Sequence, residues 1–299
     1  MKTILSIRYY DRKSGNMMKE PIYAAKFLCW SYNTRAGRLF TDFFFRHKFV
    51  SQFYGRLHQQ SWSKRRIKAF ADATGVNLKD CLRPLDSFTS FNDFFTREID
   101  LSRRPIDPEP KVCTSPADGK VLAFPIIDGK RSFRIKRSIF NLRQFLDNDA
   151  LAEKYEGGSL IIIRLHLSDY HHFHFPDSGV PGDSVPIPGK LYAVSPYSLR
   201  RLVPFYTENY RMLTLLASDH FGLIAMAEIG AFTVGSIRQL YQRRVRVAKG
   251  AKKGFFELGG STVALLFEPG AIRLDEDLCA RTAADLETYV RLGESIGRA

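Results

Sequence analysis

The sequence predicts an α+β protein, with a mostly antiparallel β core, a sandwich or partly closed barrel, preceded by a helical N-terminal region. Two observations carry this. Beyond Val112, short apolar runs of strand length alternate with Gly, Pro, Asp and Ser, the pattern of many strands joined by turns. Before it, aromatic residues recur at helical spacing: Phe40, Phe43 and Phe44, then Phe49, Phe53 and Leu57. No regular β-α alternation appears, which argues against a doubly wound parallel sheet.

Residues 1–20 are polar and basic and read as an irregular lead-in, and residues 21–73 read as helical. Phe88-Thr89-Ser90-Phe91-Asn92-Asp93-Phe94-Phe95-Thr96-Arg97 predicts a short helix capped near Ser90 or Asn92, because a short polar side chain can accept from the first free backbone N–H groups. Three prolines, Pro105, Pro108 and Pro110, mark an extended segment. They divide a helical part, residues 1–100, from a β-rich part, residues 101–299. Strands are predicted at Val121-Leu122-Ala123-Phe124, residues 160–167, residues 190–194, residues 212–216 and residues 223–227. Ser218-Asp219-His220-Phe221-Gly222 is a hairpin loop between the last two. One helix is expected near residues 138–146. Thr288-Tyr289-Val290-Arg291-Leu292 is expected as an edge segment of the same core.

The chain has 299 residues and a formal net charge of +14, which favours anionic partners. Residues 21–70 hold ten Lys and Arg against one acid, Asp42, so most of the surplus lies in one sixth of the chain. A basic helical stretch rich in aromatics suits an anionic membrane surface; equally, its aromatics can pack on the rest of the protein. No helix-turn-helix, zinc-finger or RNP pattern supports nucleic acid. No apolar run approaches the ~20 residues that span a bilayer. The four cysteines, Cys29, Cys81, Cys113 and Cys279, are scattered and form no C-x-x-C pair, so neither a zinc knuckle nor a disulfide framework is expected.

Three places carry reactive groups. Asp118 sits in Ser115-Pro116-Ala117-Asp118-Gly119, a turn before a strand. Asp169-Tyr170-His171-His172-Phe173-His174-Phe175-Pro176 holds three of the seven histidines. In a strand, His172 and His174 share one face, and His171, Phe173 and Phe175 the other. That density suits a metal site, acid–base work near neutral pH, or a satisfied structural cluster. The third place is Leu258-Gly259-Gly260-Ser261-Thr262 between two apolar runs. It reads as a hairpin turn, or as a corner at which Ser261 reaches back to the carbonyl before it. The chain lacks the Gly-x-Ser-x-Gly elbow of α/β-hydrolases.

Six pieces, in order, resemble the phosphatidylserine decarboxylase proenzyme family: Phe91-Asn92-Asp93-Phe94-Phe95-Thr96-Arg97, Arg104-Pro105-Ile106-Asp107, Pro116-Ala117-Asp118-Gly119, the histidine segment, Val234-Gly235-Ser236-Ile237, and Lys253-Gly254-Phe255-Phe256-Glu257-Leu258-Gly259-Gly260-Ser261-Thr262-Val263. The resemblance runs from about residue 88 to about residue 270, most of the chain. The resemblance implies that Asp118, His174 and Ser261 form a self-cleaving triad acting at the Gly260-Ser261 bond, and it places the motif's first histidine at His171. It implies cleavage into chains 1–260 and 261–299, with a pyruvoyl cofactor formed from Ser261 and no metal. The activity implied is decarboxylation of phosphatidylserine to phosphatidylethanolamine, with His171 or His174 protonating the product carbon. The implied partners are the phospholipid, an anionic membrane surface and the two fragments as a heterodimer, a further dimerisation being left open. The implied location is peripheral, on the cytoplasmic face of the cell membrane. Two departures stand out: Gly259 replaces a frequent Leu, and His172 adds an imidazole to the motif. The alternative reading is a Ser-His-Asp hydrolase that acts on an external ester and leaves its own chain intact.

Overall fold

A computed structural model describes residues 7–21, 25–44, 55–127, 133–135, 138–192, 205–231, 237–259 and 261–299. Gly260, Phe45, Phe49, Phe53 and Val234-Gly235-Ser236 lie outside the described residues.

The fold is α+β and mostly antiparallel. The front of the chain runs β1 (Ile7–Asp11), β2 (Asn16–Glu20), α1 (Ala25–Asn33), α2 (Arg35–Phe44), α3 (Ile67–Thr74) and α4 (Phe91–Phe95). Then follow β3 (Val112–Thr114), β4 (Gly119–Phe124), β5 (Phe133–Ile135), β6 (Ser138–Phe140), α5 (Leu142–Leu146), α6 (Asp149–Tyr155), β7 (Ser159–Leu165), β8 (His172–His174) and β9 (Gly179–Ile187). The chain continues through α7 (Phe205–Glu208), β10 (Arg211–Ser218), β11 (Leu223–Gly230), β12 (Ile237–Gln239), β13 (Lys252–Phe256) and β14 (Ser261–Phe267). It closes with β15 (Arg273–Leu274), α8 (Glu276–Ala283), β16 (Thr288–Val290) and β17 (Ser295–Arg298).

One nine-stranded sheet dominates, in the order β2-β1-β16-β4-β7-β14-β11-β10-β9. Every neighbouring pair in it is antiparallel except β1 with β16. Its central strands are apolar on both faces, as a sheet covered on both sides requires. Along β14, Val263, Leu265 and Phe267 join one core with Ile161 and Ile163 of β7 and Met226 of β11, whereas Ala264 and Leu266 join a second core with Leu160, Ile162 and Ala227. The first core is closed by the small sheets β12-β13-β8 and β15-β17-β3, through Phe173, Phe256 and Ile296. The second is closed by helical residues such as Leu142, Phe145 and Tyr155. The main sheet thus carries two small sheets over one face, the sheet-on-sheet packing of a sandwich, and a layer of helices over the other.

Several elements differ from expectation. Within the expected irregular lead-in, residues 7–20 form a β-hairpin. It turns at Gly15, whose φ of 70° is closed to most side chains, and it joins the main sheet through β16. The segment 288–292 is consequently interior: β16 lies between β1 and β4. Residues 190–192 form a single bridge, Lys190 to Asn209, and no strand. The sheet edge is β9, hidden in the sequence by Pro181 and Pro186, which an edge strand tolerates because it need not donate on its open side. The expected helix at 138–146 is β6 followed by α5. The short helix near residue 90 is α4, with Ser90 Oγ accepting the Asp93 N–H at 3.1 Å.

Candidate active site

Ser261 begins β14, where it pairs with Leu165 at the end of β7 and with Gly230 at the end of β11. It is fully buried. The strand before it, β13, belongs to a different sheet, so the Gly259-Gly260-Ser261 segment is a crossing between two sheets and no hairpin turn. Gly259 has φ 146°, a conformation that costs a side-chain-bearing residue dearly. Here Gly in place of the frequent Leu has a backbone reason.

The side chain against Ser261 is His171, with Nδ1 3.1 Å from the hydroxyl oxygen. Its Nε2 lies 3.0 Å from the carbonyl oxygen of His166. A carbonyl only accepts, so Nε2 carries the hydrogen. Burial, reinforced by the nearby charge of Arg97, holds the His171 pKa well below the ordinary value, so the ring is neutral. A neutral ring protonated at Nε2 has its lone pair on Nδ1, and the Ser261 hydroxyl donates into it. This is the tautomer that can take a proton from serine. Phe95 covers the imidazole with ring centroids 4.0 Å apart.

His174, the expected partner of Ser261, faces elsewhere. Its Nδ1 donates to the Gly250 carbonyl at 2.8 Å, and its buried Nε2 has no hydrogen-bond partner among the described residues. The reason is strand alternation: Phe173 and Phe175 enter the core, so His172 and His174 share the other face. His171 sits one residue before β8 and turns towards β14. His172 donates from Nε2 to the Thr96 carbonyl at 3.0 Å and stacks on Tyr170 at 4.6 Å. Burial pulls its pKa down to about 4.

Asp118 is brought close to the histidine segment, since the His174 N–H donates to the Pro116 carbonyl at 2.8 Å. Its carboxylate, however, is taken up by others. Arg104 donates to it from Nε at 2.9 Å and from Nη2 at 2.9 Å, and the Leu292 N–H donates at 2.8 Å. Arg104 also reaches Asp80 at 3.1 Å. The three residues of the expected triad are thus not joined in a hydrogen-bonded chain: Ser261 meets His171, and Asp118 meets Arg104.

Sequence reasoning did not single out the groups that orient His171. Asp169 Oδ2 accepts the His166 N–H at 2.7 Å, and the Asp169 N–H donates to the His166 carbonyl at 2.9 Å. That turn presents the carbonyl that fixes the tautomer. Burial raises the Asp169 carboxyl to about 6. The signal available was proximity alone, Asp169 lying two residues before His171 in a dense motif.

Comparison with known proteins fits this geometry. The family model described as phosphatidylserine decarboxylase matches residues 91–298, more than half of the chain. The chain belongs to the phosphatidylserine decarboxylase family. A curated relative named phosphatidylserine decarboxylase proenzyme, from Clostridium perfringens, is 38% identical over 291 residues, covering 97% of this chain and 99% of its own. Relatives with the same name from Chlamydia muridarum, 40% identical over 290 residues (97% and 96%), and Clostridium tetani, 38% identical over 292 residues (98% and 98%), match similarly. The phosphatidylserine decarboxylase model covers all six motifs quoted above, the corner at Ser261 included.

Proposed function

We propose that this chain is a proenzyme that cuts itself at the Gly260-Ser261 bond and then decarboxylates phosphatidylserine to phosphatidylethanolamine. The observation that carries the reading is the buried 3.1 Å contact between Ser261 and the acceptor nitrogen of a neutral His171, directly after a glycine corner. His171 takes the hydroxyl proton, and Ser261 Oγ attacks the carbonyl carbon of Gly260. The carbon–nitrogen bond breaks, the nitrogen takes the proton, and an ester links the two parts. Loss of the Ser261 α-proton then expels residue 260 as a carboxylate. The dehydroalanine left at position 261 tautomerises and takes up water, and ammonia leaves, giving a pyruvoyl group. That group supplies an electron sink for the pair released when carbon dioxide departs. The residues fit it: position 261 is pinned between β7 and β11 with an imidazole beside it. His171 is placed to handle the proton a second time, on the product carbon. Asp118 acts through Arg104 and the Leu292 N–H by holding the wall of the site, and His174, whose Nε2 has no partner among the described residues, is a second proton carrier.

The chain 261–299 would remain bound after cleavage, because β14, β16 and β17 each pair with strands of chain 1–260. The hydrolase alternative requires an external ester to reach Ser261 in the uncut chain, where it is fully buried; the self-cleavage reading needs such access only after the corner has been cut. Among the described residues, no helix is long and apolar enough to cross a membrane. For a substrate that stays in the bilayer, the front of the chain is the surface we propose to meet it. Phe27, Trp30, Leu39 and Trp62 are exposed there, as are the basic residues Lys26, Arg35, Lys64, Arg65 and Arg66. Membrane binding on the cytoplasmic face follows from this reading.

The test is an intact-mass spectrum of purified protein with a lipid assay. Two chains, 1–260 and 261–299, are expected, the shorter without a free amine at its start. They should release carbon dioxide from phosphatidylserine vesicles. Ser261→Ala should remain one chain and be inactive. An active wild type of a single full-length chain would favour the hydrolase.

A further inference from the structure

The motif Phe91-Asn92-Asp93-Phe94-Phe95-Thr96-Arg97 touches the site at four points. Asn92 Oδ1 accepts the Leu258 N–H at 3.0 Å, and Phe95 lies over His171. The Thr96 carbonyl accepts from His172, and Arg97 Nη2 donates to the carbonyls of Ser168 and Asp169 at 2.6 and 3.1 Å. Leu258 itself is buried outside the β core, in a cluster with Ile67 and Phe70 of α3 and Phe91, Phe94 and Phe95 of α4. The two sides of the corner are therefore held by different bodies: Leu258 by the helical front, Ser261 by the central sheet.

This division matters for an attack along the chain. The sheet fixes Ser261 through its pairing with β7 and β11. The carbonyl it must reach belongs to residue 260; upstream, β13 is fixed as far as Phe256, whose N–H donates to the His171 carbonyl at 2.9 Å, and beyond it Glu257, Leu258 and Gly259 set where that carbonyl starts. Two successive glycines give the segment more freedom than any other pair of residues, and attack geometry is lost with small displacements. An anchor immediately upstream removes that freedom.

We propose that Asn92 is a positioning residue for chain cleavage: by accepting the Leu258 N–H, its side-chain carbonyl fixes the upstream side of the corner against Ser261. Self-cleavage thereby depends on the helical front being docked. This role rests on the self-cleavage reading above. Asn92 lies between Phe91 and the Phe94-Phe95 pair of the cluster, and its side chain supplies one acceptor to one N–H 166 residues away.

The test follows the full-length chain made by cell-free translation, with the separated fraction read against time on denaturing gels. Asn92→Leu, similar in size but without an acceptor, should separate about tenfold more slowly, as expected for one lost hydrogen bond at the corner. Asn92→Ala should do the same. Asn92→Asp keeps an acceptor oxygen and favours the first turn of α4, so it should separate within about twofold of wild type. A merely structural role would not give that rescue. If Asn92→Leu and Asn92→Ala separate as fast as wild type, or if Asn92→Asp is as slow as they are, the proposal is overturned. A wild type that never separates overturns the cleavage reading, and this role with it; the two failures are told apart by the wild-type lane.

Discussion

β14 and the pair α1–α2 are both rich in apolar residues, yet the structure treats them in opposite ways. All seven residues of β14 are buried, because the strand has neighbours on both edges and a covering layer on both faces. In α1 and α2, Phe27, Trp30 and Leu39 are exposed, Leu39 by 72%. Phe27, Trp30 and Phe40 contact one another, with ring centroids 5.7 to 6.4 Å apart. Apolar content alone therefore does not mark a core; what covers it does. The buried strand holds Ser261 through its pairing with β7 and β11, whereas an exposed aromatic group beside basic residues is suited to an interface with lipid.

The difference can be broken by substitution. The largest effect is expected at the sheet. His171→Ala removes the acceptor beside Ser261 and should slow chain separation by at least about 100-fold, in line with the loss of a general base. It should leave vesicle retention unchanged. His174→Ala should slow separation far less, since its ring makes no contact with Ser261. Time courses of chain separation for the two variants decide the matter. If His174→Ala blocks separation and His171→Ala does not, the roles given to the two histidines are reversed.

A second, smaller effect concerns pH. His166, His171, His172 and His174 all have pKa values lowered by burial, His166 to about 3 and His172 to about 4. Below the unfolded value of about 6.5 the unfolded chain binds more protons at these sites, so their contribution is complete above that pH and is lost as pH falls through 6.5 towards 4 and 3. Asp169 works the other way: its carboxyl, raised to about 6, costs stability as pH climbs from about 3.8 to 6. Four histidines against one carboxyl predict a lower melting temperature at pH 5 than at pH 7. A flat or rising melting temperature on acidification would contradict the burial assigned to the site. The same depression predicts that chain separation shows no inflection near pH 6.5, because His171 stays neutral there.

How much of this was legible in the sequence differs between the same two regions. The central strands declared themselves as apolar runs bounded by turn residues, and the predicted limits of β4, β7, β10 and β11 fall within a few residues of those found. The β1–β2 hairpin did not, because Met17, Met18 and Lys19 are exposed whichever face they lie on and its pairing partner, β16, lies 278 residues away at Tyr10 and Thr288. The site was legible as a set of residue types and illegible as a set of contacts. Which imidazole meets Ser261 is decided by the His166 carbonyl, the Phe95 ring and the strand parity of residues 172–174, and only the last is local. Leu258 looked like the end of a strand; its burial among front helices depends on residues 67–95.

The smallest effect, and the one that tests the other side of the comparison, is at the exposed front. Residues 21–70 hold a charge surplus of nine, and Lys64, Arg65 and Arg66 are all exposed. Each basic residue near an anionic leaflet contributes roughly 1 kcal/mol, and salt screens that share while leaving apolar insertion intact. Vesicles containing anionic lipid should therefore retain the protein at low salt and release part of it at about 1 M, where screening shortens to ~3 Å. Replacing Lys64, Arg65 and Arg66 with Gln should reproduce the high-salt result at low salt. Trp30→Ser with Leu39→Ser should weaken retention at every salt concentration, and chain separation should proceed as in wild type, because neither side chain touches the corner. Loss of solubility in the Trp30 and Leu39 variant, with retention of the soluble remainder unchanged, would mean that these side chains pack against protein. The contrast between a strand built for burial and helices built for a surface would then fail on the helical side.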